Sequence, residues 1–225
     1  MKVHRVAAAL LALTPLAAAQ APSALRDEII ADARAQPPAE LVFDRTTASV
    51  RTGGGTRFNV SKVERWDGKT WTLISQDGKA PSASQRRSAE KLAEAVPVPG
   101  YHRLAVLLAN ASSSKIDAEG RTVLQIPALP AKSVLTDTSD ISSHLKAEAI
   151  IDNRGGKPFV ESVHVSARET FMLNSLIKVK AFDLVSSYTR DSNGRPRLAS
   201  QTADSHGSVF GIPGGESSQV TFTYR

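Results

Sequence analysis

The stretch Trp66-Asp67-Gly68-Lys69-Thr70-Trp71-Thr72-Leu73-Ile74 decides the fold class. An aromatic and β-branched run follows an Asp-Gly dipeptide, and a second strand-like run, Arg57 to Trp66, precedes it. Asp-Gly accepts the positive φ values of a tight reversal, so the two runs are expected to form an antiparallel hairpin. Trp66 and Trp71 are expected as cross-strand neighbours, since paired aromatic rings stabilise hairpins.

The same grammar extends outward. Leu41 to Val50 is rich in β-branched residues and is separated from Arg57 to Trp66 by a turn at Gly53-Gly54-Gly55, while Asp77-Gly78 closes the next strand. Further strands are expected at Arg121–Ile126, His144–Ile151, Phe159–Ala167, Ile177–Tyr188, Arg197–His206, Ser208–Gly211 and Gln219–Tyr224. Asp152-Asn153-Arg154-Gly155-Gly156 and Asp191-Ser192-Asn193-Gly194 supply turn chemistry between them. Leu145, Ala147, Ala149 and Ile151 alternate with Lys146 and Glu148, and Val220, Phe222 and Tyr224 alternate with threonines. One dry and one wet face per strand is the mark of an antiparallel sheet open to solvent on one side.

Helical spacing interrupts this pattern in three places. Leu25, Ile29 and Ala33 fall four apart between Pro22 and Gln36, with Ser23 as candidate N-cap and Pro37-Pro38 as terminator. Ser82 and Gln85 have capping-box spacing ahead of the narrow apolar stripe Ala89, Leu92, Ala93 and Val96. Tyr101, Leu104, Leu107 and Leu108 continue as a short helix after the Pro97 to Gly100 break. The chain therefore reads as mainly β, α+β in class, with an N-terminal helix and inserted helices.

Lys2 and Arg5 precede an apolar run from Val6 to Leu16 that closes on Ala17-Ala18-Ala19, the pattern of a secretory signal peptide cut after Ala19. The run falls short of the ~20 apolar residues a spanning helix needs, so no stable membrane anchor is expected. Residues 20–225 are read as one domain, exported and periplasmic. Cysteine is absent, which excludes disulfides and thiolate chemistry in an oxidising compartment. The net charge of +6 includes Lys2 and Arg5; the remaining excess is dispersed and forms no block that would track a phosphate backbone, so nucleic acid is not an expected partner.

No catalytic pattern emerges. His102, His144, His164 and His206 are scattered without metal-helix spacing, no GxSxG element is present, and the glycine clusters lack the lysine and helix of a phosphate loop. No cofactor or metal is expected, and a hydrolase would require convergence that sequence spacing in a sheet does not reveal.

Glu64-Arg65-Trp66-Asp67 with Trp71 to Pro81, the run Tyr101-His102-Arg103-Leu104, the strand Phe159 to Val163 with the later Phe171, and the closing Val220 to Arg225 resemble a group of uncharacterised exported proteobacterial proteins. Those look like relatives of the Lol-type lipoprotein carriers. The resemblance implies a curved antiparallel sheet forming an open half-barrel, with the N-terminal and inserted helices covering its concave face. It also implies a non-catalytic carrier that holds a lipid, an acylated protein or another apolar ligand in that concavity; a monomer is expected. Phe43, Phe58, Val60 and Leu73 are the expected lining of the concave side, with Phe171 and Met172 near its rim. The alternative is a structural or interaction module of the cell envelope with a filled core. An apolar space of ~300 Å³ or more separates the two. Export predicts that Edman or mass-spectrometric analysis of the secreted protein reads from Gln20; a protein that retains Met1 overturns the signal-peptide reading.

Overall fold

A computed structural model describes residues 22–136 and 139–225. The signal peptide read over residues 1–19 lies outside them. Eleven strands form one antiparallel sheet: β1 (Phe43–Gly53), β2 (Thr56–Trp66), β3 (Trp71–Gln76), β4 (Ser113–Ile116), β5 (Thr122–Ile126), β6 (Leu145–Asp152), β7 (Phe159–Ala167), β8 (Phe171–Met172), β9 (Ile177–Arg190), β10 (Pro196–Val209) and β11 (Ile212–Tyr224). The spatial order is β3-β2-β1-β11-β10-β9-β7-β6-β5-β4, with β8 paired to β9. The sheet is curved and not closed, leaving β3 and β4 as its edges. This is the open half-barrel.

Local chemistry accounts for most of the reversals. Asp67 Oδ1 accepts from the backbone N–H groups of Lys69 and Thr70, both at 2.8 Å, and so fixes the β2–β3 turn. Trp66 and Trp71 stand opposite each other with ring centroids 5.6 Å apart, and Trp66 Nε1 donates to the Pro38 carbonyl at 3.0 Å.

Two expectations are corrected by close backbone approach. The segment Arg197–His206 and the start of Ser208–Gly211 are one strand, β10, with a register shift between His206 and Gly207, and Phe210 and Gly211 form the turn that follows it. A Cβ at Gly207 would stand 2.1 Å from the Lys178 carbonyl oxygen, so this glycine admits the neighbouring strand and does not break its own. Strand β11 begins at Ile212, well before Gln219. Gly214 and Gly215 sit within it for the same reason: a Cβ would stand 2.6 Å from Thr52 O and 2.5 Å from Ser205 O respectively.

The inner face is the dry one. In β6, Leu145, Ala147, Ala149 and Ile151 are buried while the residues between them are not. Helix α1 (Pro22–Arg34) buries Leu25, Ile29, Ile30 and Ala33, and packs on α3 (Leu104–Leu108) and the preceding 3-10 turn Tyr101–Arg103. Tyr101 joins this cap to the sheet: its hydroxyl accepts from Val160 N–H at 3.2 Å and its ring meets Tyr188 edge-on at 5.6 Å. Asp32 and Lys157, 2.6 Å apart, hold α1 to the β6–β7 connection. Helix α2 (Ala83–Ala95) starts with both bonds of its capping box, Ser82 with Gln85, and packs beside β3. No helix among the described residues is long and apolar enough to cross a membrane.

Where β1 meets β11, Phe43 contacts Trp71, Phe222 and Tyr224 with ring centroids 5.5, 5.6 and 5.4 Å away. Phe43 is fully buried, whereas Phe58 on the neighbouring strand is 60% exposed. Phe43→Ala is therefore expected to cost about 3–5 kcal/mol in urea unfolding, and Phe58→Ala to stay within about 0.5 kcal/mol. Equal losses would contradict this packing.

Asp44 accepts from Arg65 at 2.7 Å and from Arg225 at 2.6 Å, and these hydrogen bonds hold its carboxyl at about 2, below the ordinary 3.8. A folded-state value lowered in this way gives stability that is present above pH 3.8 and lost as pH falls through about 2. Asp44→Asn should be less stable than the wild type at pH 7, and urea midpoints of the two should converge as pH approaches 2. A gap that is constant with pH would remove Asp44 from the acid response.

Candidate functional site

A cavity of about 320 Å³ lies between the sheet and its helical cap. Its floor is two transverse rows that the strand register dictates. In one, Val163 of β7, Ser186 of β9, Gln201 of β10 and Val220 of β11 stand side by side; in the next, Val165, Leu184, Ala203 and Ser218 do so. Three of these eight side chains, Ser186, Ala203 and Ser218, are small. A curved sheet carrying Ser186, Ala203 and Ser218 at its deepest rows needs a bulky cap to fill it, and the cap here is the five-residue α3 with the loop that follows β5. Leu104, Leu107, Leu129, Val134 and Leu135 form the roof, and Val96, Pro97, Pro99 and Gly100 form one side.

Gln201 Nε2 donates to Ser186 Oγ at 2.9 Å, and Tyr188 is a buried phenol whose pKa is pushed above its ordinary value by desolvation. Arg45 stands over the Trp71 ring, 4.3 Å from its centroid, and donates through Nε and Nη2 to Glu64 at 3.0 and 2.7 Å. The cavity is thus a largely apolar space with its charge at the margin. A second depression, about 300 Å³, lies against α1 between Arg26, Asp27, Ile30, Ala31, Arg34 and Ala109; it has no sheet floor and its wall is charged.

The register puts Phe43, Phe58, Val60 and Leu73 on the same inner face, opposite Trp66, Arg51, Ser49 and Glu64. None of the four reaches the cavity wall. Phe43 and Leu73 are consumed in the core, Val60 is half-buried, and Phe58 projects near the open end of β2. Phe171 is buried with its ring stacked on His144 at 4.3 Å, and Met172 is 50% exposed. The cavity lies across β7, β9, β10 and β11, and alternation alone does not say which strands the cap leaves uncovered.

The histidines remain apart. His102 sits in the cap, where desolvation lowers its pKa; His144 stacks on Phe171; His164 meets Asp183 at 3.0 Å on the outer face; His206 is exposed on β10. Among the described residues no group of three or more His, Asp or Glu could hold a metal ion. Comparison with known proteins finds no matching family model, no matching curated protein and no matching solved structure.

Proposed function

We propose that the protein is a non-catalytic carrier or binding protein that takes a lipid, an acylated protein or another apolar molecule into the concavity of its half-barrel, working in the periplasm after export, in the manner of the Lol-type carriers. The cavity between sheet and cap is the observation that carries this reading. Its volume, about 320 Å³, lies at the lower end of ligand-binding pockets. At about 30 Å³ for each group of water size it accommodates roughly ten such groups, one acyl chain of moderate length. Each methylene moved there from water contributes about 0.8 kcal/mol, so the chain itself supplies the affinity and no reaction is required.

A second reading, an interaction module of the envelope, draws on a different feature. Phe210 is 72% exposed at the β10–β11 turn and donates its backbone N–H to the Leu176 carbonyl, which brings exposed Leu176, Val209 and Ile212 to the same end of the sheet. An apolar tip of this kind suits a protein partner.

Mature protein purified from periplasm without detergent, and extracted into organic solvent beside a control periplasmic protein, discriminates the two. An enriched, stoichiometric lipid in the mass spectrum is expected, and Ala203→Trp, which puts a large ring into the floor, should deplete it while the protein still unfolds cooperatively. A clean extract would remove the carrier reading and favour the interaction module.

A further inference from the structure

Arg45, Arg103 and Lys132 line the wall of the cavity and, among the described residues, no aspartate or glutamate does; Lys132 lies beside Asp140, whose Oδ2 accepts from the Lys132 backbone N–H at 2.7 Å. Arg45 is matched by Glu64, just outside the wall. Arg103 is not matched. Its guanidinium is half-buried at the start of α3, and its Nη2 donates to the Lys132 carbonyl at 2.9 Å, a neutral acceptor. A guanidinium carries five N–H donors in a planar fork that suits two oxygens of one anion, and desolvating it without a counter-charge is unfavourable. The same desolvation lowers its pKa. The apolar rows of the floor and the unmatched cation of the roof therefore border one space, the arrangement that a molecule with a tail and an anionic head completes.

We propose that the cavity selects single-chain amphiphiles with an anionic head, a carboxylate or a phosphate monoester, and that Arg103 is the residue that receives that head while Val163, Val165, Leu184 and Val220 receive the chain. This rests on the carrier reading and narrows it to a ligand class. A neutral chain of the same length gains the floor but leaves the guanidinium without a partner. An anionic one gains both, and hydrogen bonds to charged groups are strong enough for a preference of about tenfold or more.

The test is a titration of the delipidated mature protein with decanoate, decyl phosphate and decanol, chains of the length the cavity accommodates, followed by displacement of a fluorescent fatty acid, for the wild type, Arg103→Gln and Arg103→Lys. The expected result is that both anions, or one of them, bind the wild type at least about tenfold more tightly than the alcohol. Which anion binds identifies the head chemistry. In Arg103→Gln the ratio of anion to alcohol affinity should fall to near one, a ratio in which any general loosening of the cap cancels, and Arg103→Lys should retain part of the preference; thermal melting of each variant separates lost binding from lost folding. Equal affinity for all three ligands, or a preference that survives in Arg103→Gln, overturns the assignment to Arg103 and leaves the carrier reading standing. Binding of none of them overturns both.

Discussion

The pairing of β1 with β11 is the constraint on which the rest of the structure depends. It runs without interruption from Phe43 opposite Tyr224 to Gly53 opposite Gly214, and it is the junction between the β1-β2-β3 meander and the larger group of strands that runs in space from β11 to β4. Residues some 165 positions apart must meet to form it, as Arg51 and Glu216 do in an ion pair of 2.8 Å. Such a contact closes a long loop before it gains any stabilisation, so the junction must be strongly specified. Three features specify it: the cluster of Phe43, Trp71, Phe222 and Tyr224 on the inner face, the Asp44 contacts with Arg65 and Arg225 on the outer one, and Gly214, whose missing side chain lets the Thr52 carbonyl of β1 approach. Without it the molecule has two further open sheet edges, with the aggregation hazard those carry.

The cavity is a consequence of how that junction is filled. Large aromatic side chains occupy the end of the inner face at Phe43 and Trp66, and the aliphatic rows of β5 and β6 are covered near α3, so the core is dense at both sides. Between them the rows at Ser186, Ala203 and Ser218 carry little volume, and the cap above them is held at a fixed height by Tyr101 on Val160 and by the Arg103 contact with the Lys132 carbonyl. Protein interiors close such gaps when side chains can reach, and unfilled space costs stability. This unfilled space between two well-packed regions is the feature on which the proposed carrier function rests.

Much of this architecture is written in short stretches. The Asp67-Gly68 turn with its tryptophan pair, the Ser82 and Gln85 capping box, the hairpins at Asp152 and Asp191, and the strand Phe159–Ala167 each depend on chemistry within a few residues, and the sheet places them as their spacing predicts. Failures occur where the decisive atom comes from far along the chain. Gly207, Gly214 and Gly215 read as turns because nothing nearby reveals that the Lys178, Thr52 and Ser205 carbonyls press against them. Strand β4 is short and polar, and β8 has two residues, so both lack a pattern. The candidate site follows the same rule. Alternation does put Phe43, Phe58, Val60 and Leu73 on one face, but which part of that face the cap leaves vacant is set by contacts between α1, α3 and distant strands, and the vacancy falls on β7 to β11.

The central claim is that an apolar chain occupies the space beneath α3. Methyl NMR of the delipidated protein with a doxyl-labelled fatty acid tests it most directly, because the nitroxide broadens only the methyl groups near it. The account predicts selective broadening of Val163, Val165, Leu184, Ala203 and Val220, reversed by unlabelled ligand. Broadening confined to Leu176, Val209 and Ile212 at the exposed end of the sheet, or none at all, would contradict it.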